Sequence, residues 1–92
     1  MSGAASTNTR EATATISGLG IVTYCFYASN YNGSYGIITK NGVQMDYKEG
    51  PILSSLGSFI ANKGDVIYMK AYGNKSNTSN SSAMIIARFK AV

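Results

Sequence analysis

The hydrophobic pattern along this chain starts late. Residues 1–12, MSGAASTNTREA, offer almost nothing to bury and read as a flexible N-terminal arm. From Thr13 onward apolar and polar positions alternate with a period of two, the mark of half-buried β-strands. Ala14 and Ile16 alternate with Thr13, Thr15 and Ser17, and Gly18 and Gly20 then break the run. The stretch IVTYCFYAS (21–29) is apolar on both sides. Val22, Tyr24, Phe26 and Ala28 fall on one face, and Ile21, Thr23, Cys25 and Tyr27 on the other. A strand apolar on both faces is covered on both. One face meets the domain's own core. In so small a domain the other is expected to meet a second copy, which makes Ile21, Thr23, Cys25 and Tyr27 the candidate oligomer interface.

NYNGS (30–34) reads as a turn. Asn41-Gly42, between YGIITK (35–40) and VQMDYK (43–48), suits a two-residue type I′ turn, because both positions need positive φ. That turn sets Lys40 against Val43, Thr39 against Gln44 and Ile38 against Met45. Ile38, Val43, Met45 and Tyr47 then share a core face, while Thr39, Gln44, Asp46 and Lys48 share a wet one. EGPILSSLGS (49–58) reads as a connection holding Ile52, Leu53 and Leu56, with room for a short strand or for a segment lying over the end of the core. Phe59 to Ala61 is a strand and Asn62 to Asp65 a tight turn. In VIYMKAY (66–72), Ile67, Met69 and Ala71 line one face, and Tyr68, Lys70 and Tyr72 the other. GNKSNTSNSS (73–82) is a polar loop. AMIIARFKAV (83–92) closes the chain, with Ile85, Ala87, Phe89 and Ala91 inward and Arg88 and Lys90 outward.

No stretch carries a 3.6-residue apolar period. About six to eight short strands at turn spacing imply an all-β fold. The expected architecture is a small antiparallel, jelly-roll-like β-sandwich over residues 13–92, preceded by the arm of residues 1–12.

Composition narrows the function. Ninety-two residues make one small domain whose stability as a monomer is modest. Cys25 is the single cysteine, so no disulfide forms within the chain. With no histidine either, a zinc site lacks its usual ligands, and no cofactor is expected. The remaining common route to stability is oligomerisation. The net charge is +4, yet the basic residues are scattered rather than clustered. That pattern reads as a solvated surface, and nucleic acid is not the expected partner. No run approaches the ~18 apolar residues of a membrane helix. Residues 1–15 have no apolar signal-peptide core, which points to synthesis in a cytoplasm.

Catalytic chemistry is poorly supplied. General acid–base work most often uses histidine. The acids are Glu11, Asp46, Glu49 and Asp65. Asp46 and Glu49 are close in sequence, as a glycosidase pair could be, but they read as ordinary surface charges. A non-enzymatic protein is the expectation. A binding reading is better supplied. YASNYNGSY (27–35) places Asn30, Tyr31, Asn32 and Tyr35 around a turn, and the polar loop adds Asn74, Asn77 and Asn80. Tyrosine and amide groups of this kind suit a carbohydrate-binding module or lectin. The plainer reading is that Tyr27 and Tyr35 pack and that the polar loop is a solvated spacer.

The second half of the chain carries a resemblance. LGSFIANKGDVIYMKAYGN, a polar loop, and the closing strand SSAMIIARFKAV resemble the end of a tumour necrosis factor/C1q-type jelly roll. Lys63-Gly64-Asp65 is similar to that family's turn into its Val-x-Val/Leu strand, here Val66 to Met69, and YGIITKNGVQM resembles its mid-domain hairpin. The likeness covers about residues 14 to 92. The chain is short for the family, as if a strand were missing. The resemblance implies a homotrimer whose inner sheets pack around a three-fold axis, as in small heads and fibre tips on bacteriophage particles. It implies a virion structural protein: a capsid decoration, head-fibre or tail-tip component. Thr7, Thr9, Arg10 and Glu11 in the arm would then anchor it to other virion proteins, and the exposed loops would face a receptor such as a cell-surface glycan.

Overall fold

A computed structural model describes residues 8–28, 32–50, 54–74 and 82–92. It contains seven β-strands: β1 Asn8–Thr15, β2 Gly20–Ala28, β3 Tyr35–Lys40, β4 Val43–Glu49, β5 Ser55–Ala61, β6 Val66–Gly73 and β7 Ala83–Ala91. No helix occurs among the described residues. Sheet A has the order β1-β6-β3-β4 and sheet B the order β5-β2-β7, and every pairing is antiparallel. The two sheets face each other as a small β-sandwich.

The pairings nest. β3 pairs with β4, β2 with β5 and β1 with β6, and the roll closes where β6 meets β3. This is the wrapping of a jelly roll, with seven strands among the described residues where the full pattern has eight. The place left open lies beside β7, which pairs only with β2.

The core forms where period-two faces meet. Val22, Tyr24, Phe26 and Ala28 of β2 face Ile38 of β3 and Ile67, Met69 and Ala71 of β6. Phe26 and Ile38 are fully buried. Close approach of the sheets depends on small residues. A Cβ at Gly36 would meet the Phe26 ring, and one at Gly57 would sit 2.6 Å from the Tyr24 hydroxyl. The Asn41-Gly42 turn has φ of 53° and 80°, as a type I′ turn requires. Asn41 also fastens the neighbouring turn: its Nδ2 donates to Asp65 Oδ1 (2.9 Å) and its Oδ1 accepts from the Val66 N–H (2.8 Å).

Three sequence expectations are corrected. First, β1 begins at Asn8, so residues 8–12 are not part of a free arm. Their side chains have little to bury, and their order comes from backbone pairing with β6, which a hydrophobic pattern cannot reveal. Second, the hairpin register shifts between Ile38 and Thr39. Lys40–Val43 and Thr39–Gln44 pair as expected, but Ile38 then faces Asp46, and Met45 is the extra residue of a β-bulge. The bulge moves Asp46 to the face of Ile38 and Tyr47 to the opposite one, reversing the expected sides of β4 from Asp46 onward while Val43 and Gln44 keep theirs. Third, the strand expected over Phe59 to Ala61 starts earlier, at Ser55, so Leu56 is one of its residues.

Candidate functional site

The outer face of sheet B is the most unusual surface of the fold. The register sets Ile21 beside Ile60 and Lys90, Thr23 beside Ser58 and Arg88, and Cys25 beside Leu56 and Ile86, with Tyr27 beside Met84. Ile21, Thr23, Cys25 and Tyr27 therefore share one face, as their alternation indicates. The neighbouring strands add four large apolar side chains that the sequence reading did not assign to it. Leu56 is 75% exposed and Ile60 62%; Ile21, Ile86 and Met84 are also exposed. These apolar residues form two groups, Ile21 with Ile60 and Cys25 with Leu56, Ile86 and Met84, on either side of the polar row Thr23, Ser58 and Arg88. So many exposed large apolar side chains on one sheet face make it a candidate contact site. The period-two spacing of Leu56, Ser58 and Ile60 was the signal available in the sequence.

β7 extends this surface around the edge of the sandwich. Its inward residues Ala87, Phe89 and Ala91 are exposed, and among the described residues no further strand covers that side. A shallow apolar hollow lies there between β1 and β7, walled by Ala14, Ile16, Val22, Ile67 and Phe89. β7 thus presents apolar side chains on both faces and, among the described residues, an edge with no paired strand.

The candidate ligand residues divide. Asn30, Tyr31, Asn77 and Asn80 lie outside the described residues. Asn32 and Asn74 come together at one corner. The Asn74 Nδ2 donates to the Asn32 carbonyl (2.8 Å), and the Asn74 N–H donates to the buried Ser34 Oγ (2.9 Å). Asn74 is thereby spent on holding the 32–34 turn, where Gly33 has φ of 89°.

Tyr35 belongs to a different surface. It lies on the outer face of sheet A, where its ring stacks on Tyr72 (centroids 5.4 Å apart) and on Tyr47 (6.3 Å). Lys70 Nζ sits 5.4 Å from the Tyr35 centroid. On either side, Tyr47 donates to Glu49 (2.9 Å) and Tyr68 donates to Glu11 (2.7 Å). Each of these bonds favours the protonated phenol, so both tyrosines are pushed above their ordinary range. Hydrogen bonding to Tyr35 likewise raises Lys70. The Tyr68, Lys70, Tyr72 alternation was visible in the sequence; the place of Tyr47 was not, because the bulge decides it.

Of the candidate anchor residues, Thr7 lies outside the described residues. Thr9, Arg10 and Glu11 sit within β1, opposite Tyr72, Ala71 and Lys70. They are part of the sandwich edge rather than of an extension from it.

The carboxylates do not form a pair. Asp46 points between the sheets, where Oδ2 accepts from Tyr24 (2.8 Å) and from Ser55 (2.6 Å). Glu49 is on the opposite face of β4, beside Tyr35 and Tyr47. Burial alone would raise Asp46; the bonds from Ser55, Tyr24 and the Tyr47 backbone, with Lys48 nearby, bring it below its ordinary value. Among the described residues no three of His, Cys, Asp and Glu gather to hold a metal.

Comparison with known proteins found no matching family model, no matching curated protein and no matching solved structure.

Proposed function

We propose that this chain is a non-enzymatic structural protein of a bacteriophage particle, a capsid decoration, head-fibre or tail-tip component, which works by forming a homotrimer and displaying its remaining surface. The observation that carries the assembly is the apolar outer face of sheet B, continuous with the open edge of β7. A second copy of the chain is its occupant. A domain of this size is only modestly stable alone, and this face gathers five exposed large apolar side chains, Ile21, Leu56, Ile60, Met84 and Ile86.

Charge favours a ring over a face-to-face pair. The face carries Arg88 and Lys90 and no carboxylate. Two copies meeting through this face alone would leave those cations without a counter-charge. In a ring the face meets a different surface of its neighbour, so that restriction disappears. Three-fold closure, the virion setting and attachment through the N-terminal segment come from the tumour necrosis factor/C1q-type resemblance, which the nested jelly-roll wrapping supports.

The test is substitution on this face. Leu56→Glu and Ile60→Glu place carboxylates at its most exposed points. Both variants are expected to fold, to run as monomers in native mass spectrometry, and to fail to join particles assembled with the other virion proteins. Variants that still trimerise and incorporate like wild type would refute the proposal.

A further inference from the structure

The outer face of sheet A points away from the apolar face of sheet B, and its chemistry is different. Four of the seven tyrosines lie on it: Tyr35, Tyr47, Tyr68 and Tyr72. Three of them form a row across β6, β3 and β4, in the order Tyr72, Tyr35, Tyr47. Tyrosines placed on a solvated sheet face are not needed for the core. They supply rigid, amphipathic contact area at low cost in side-chain entropy, and for that reason such groups mark recognition surfaces.

We propose that this row is a carbohydrate-binding surface for a neutral oligosaccharide. The inference uses a single copy of the chain and does not rest on the assembly proposed above. A pyranose ring offers an apolar C–H face and a rim of hydroxyls. The tyrosine row matches the first, and the groups beside it match the second. Glu49 and Glu11 each accept one tyrosine hydroxyl, and that bond fixes the carboxylate in place. A carboxylate has about four acceptor sites, so each retains capacity for sugar hydroxyls. Thr9, Thr13 and Thr39 on the same face add hydroxyl groups of both donor and acceptor type. The sheet backbone beneath is satisfied by strand pairing, which makes the surface rigid and preorganised.

Charge selects among ligands that stack on aromatic rings. Single-stranded nucleic acid needs cations along its backbone. Among the described residues of this face, Glu11 and Glu49 stand against Lys70 alone, and Lys70 is engaged with Tyr35. The basic pair Arg88 and Lys90 is on the other sheet. The tyrosine row is therefore acidic in a chain of net charge +4, which disfavours phosphate, sulfate and sialate and leaves a neutral glycan.

The full chain is screened on a printed array of neutral oligosaccharides, their sialylated and sulfated counterparts, and oligothymidylate. The best neutral ligand is then titrated by calorimetry. Wild type is expected to bind at least one neutral oligosaccharide. Tyr47→Ala, on an edge strand and outside the core, should weaken that binding by about tenfold or more. Tyr47→Phe, which keeps the ring and loses the bond to Glu49, should fall in between. Ile60→Ser on sheet B should leave the intrinsic affinity unchanged. The proposal is overturned if no neutral oligosaccharide binds, if oligothymidylate or the acidic glycans bind in their place, or if Tyr47→Ala and Tyr72→Ala, shown by circular dichroism to be folded, both bind like wild type.

Discussion

The Tyr24 hydroxyl donates to Asp46 Oδ2 across 2.8 Å, and this bond ties sheet B to sheet A. Ser55 of β5 donates to the same oxygen, so three strands converge on one carboxylate. The arrangement fixes how stability varies with pH. Asp46 is held below its unfolded value, so its contribution is present above the usual carboxylate range and is lost as pH falls through the folded value. Tyr24 is pushed up from 10.0 to about 12, first by burial and then by Asp46. Its contribution is complete below the unfolded value and is lost as pH rises between the two. Thermal melts across pH should show a plateau from roughly pH 5 to 9, falling on both sides. Asp46→Asn should flatten the acid limb; an unchanged profile would remove Asp46 from the account.

Gly36 lies directly beneath the Phe26 ring, and both are buried between the sheets. Gly36→Ala forces the ring or the strand to move and should cost about 1–3 kcal/mol in denaturant unfolding. The same change made with Phe26→Leu should cost less than the two single changes added together, because the clash is shared. Strict additivity would show that the two residues do not oppose each other.

At the hairpin, Gly42 and Asn41 fail for different reasons. A Cβ at Gly42 meets nothing within 4 Å, so Gly42→Ala should cost only its left-handed backbone, about 1–2 kcal/mol. Asn41→Ala loses its bonds to Asp65 and Val66 as well as its tolerance for positive φ. It should be the more destabilising of the two in urea titrations. The reverse order would mean that the Asn41–Asp65 corner contributes little.

What was legible in the sequence follows from where the information resides. The two faces of β2 and the two faces of β6 were readable because each side chain alternates across a strand that is buried on at least one side. The Asn41-Gly42 turn was readable because its backbone demands those residues. The bulge at Met45 was not, since VQMDYKE alternates cleanly and only Tyr24 and Ser55, brought in from the other sheet, draw Asp46 inward. The first part of β1 was hidden for another reason: residues 8–12 are ordered by backbone pairing along the edge of β6. The candidate surfaces divide the same way. The outer face of β2 was visible in one strand's pattern. Its neighbours Leu56, Ile60 and Ile86, and the tyrosine row on sheet A, appear only when strand order is known.

Cys25 gives an independent reading of the sheet B surface. Its thiol is half-buried in a single copy, between Leu56 and Ile86. In the assembled protein it should be slow to react with N-ethylmaleimide. In the Ile60→Glu variant it should react at least about tenfold faster, since even 1.4 kcal/mol of lost protection gives that factor. Equal rates in the two proteins would mean that the thiol is not covered by a neighbouring copy.

The central claim is that the outer face of sheet B is closed by further copies of the chain. Sedimentation equilibrium of the full chain at micromolar concentration tests it most directly. The account predicts a single species of three times the 9.7 kDa chain mass. A species that stays at the mass of one chain throughout that range would contradict it.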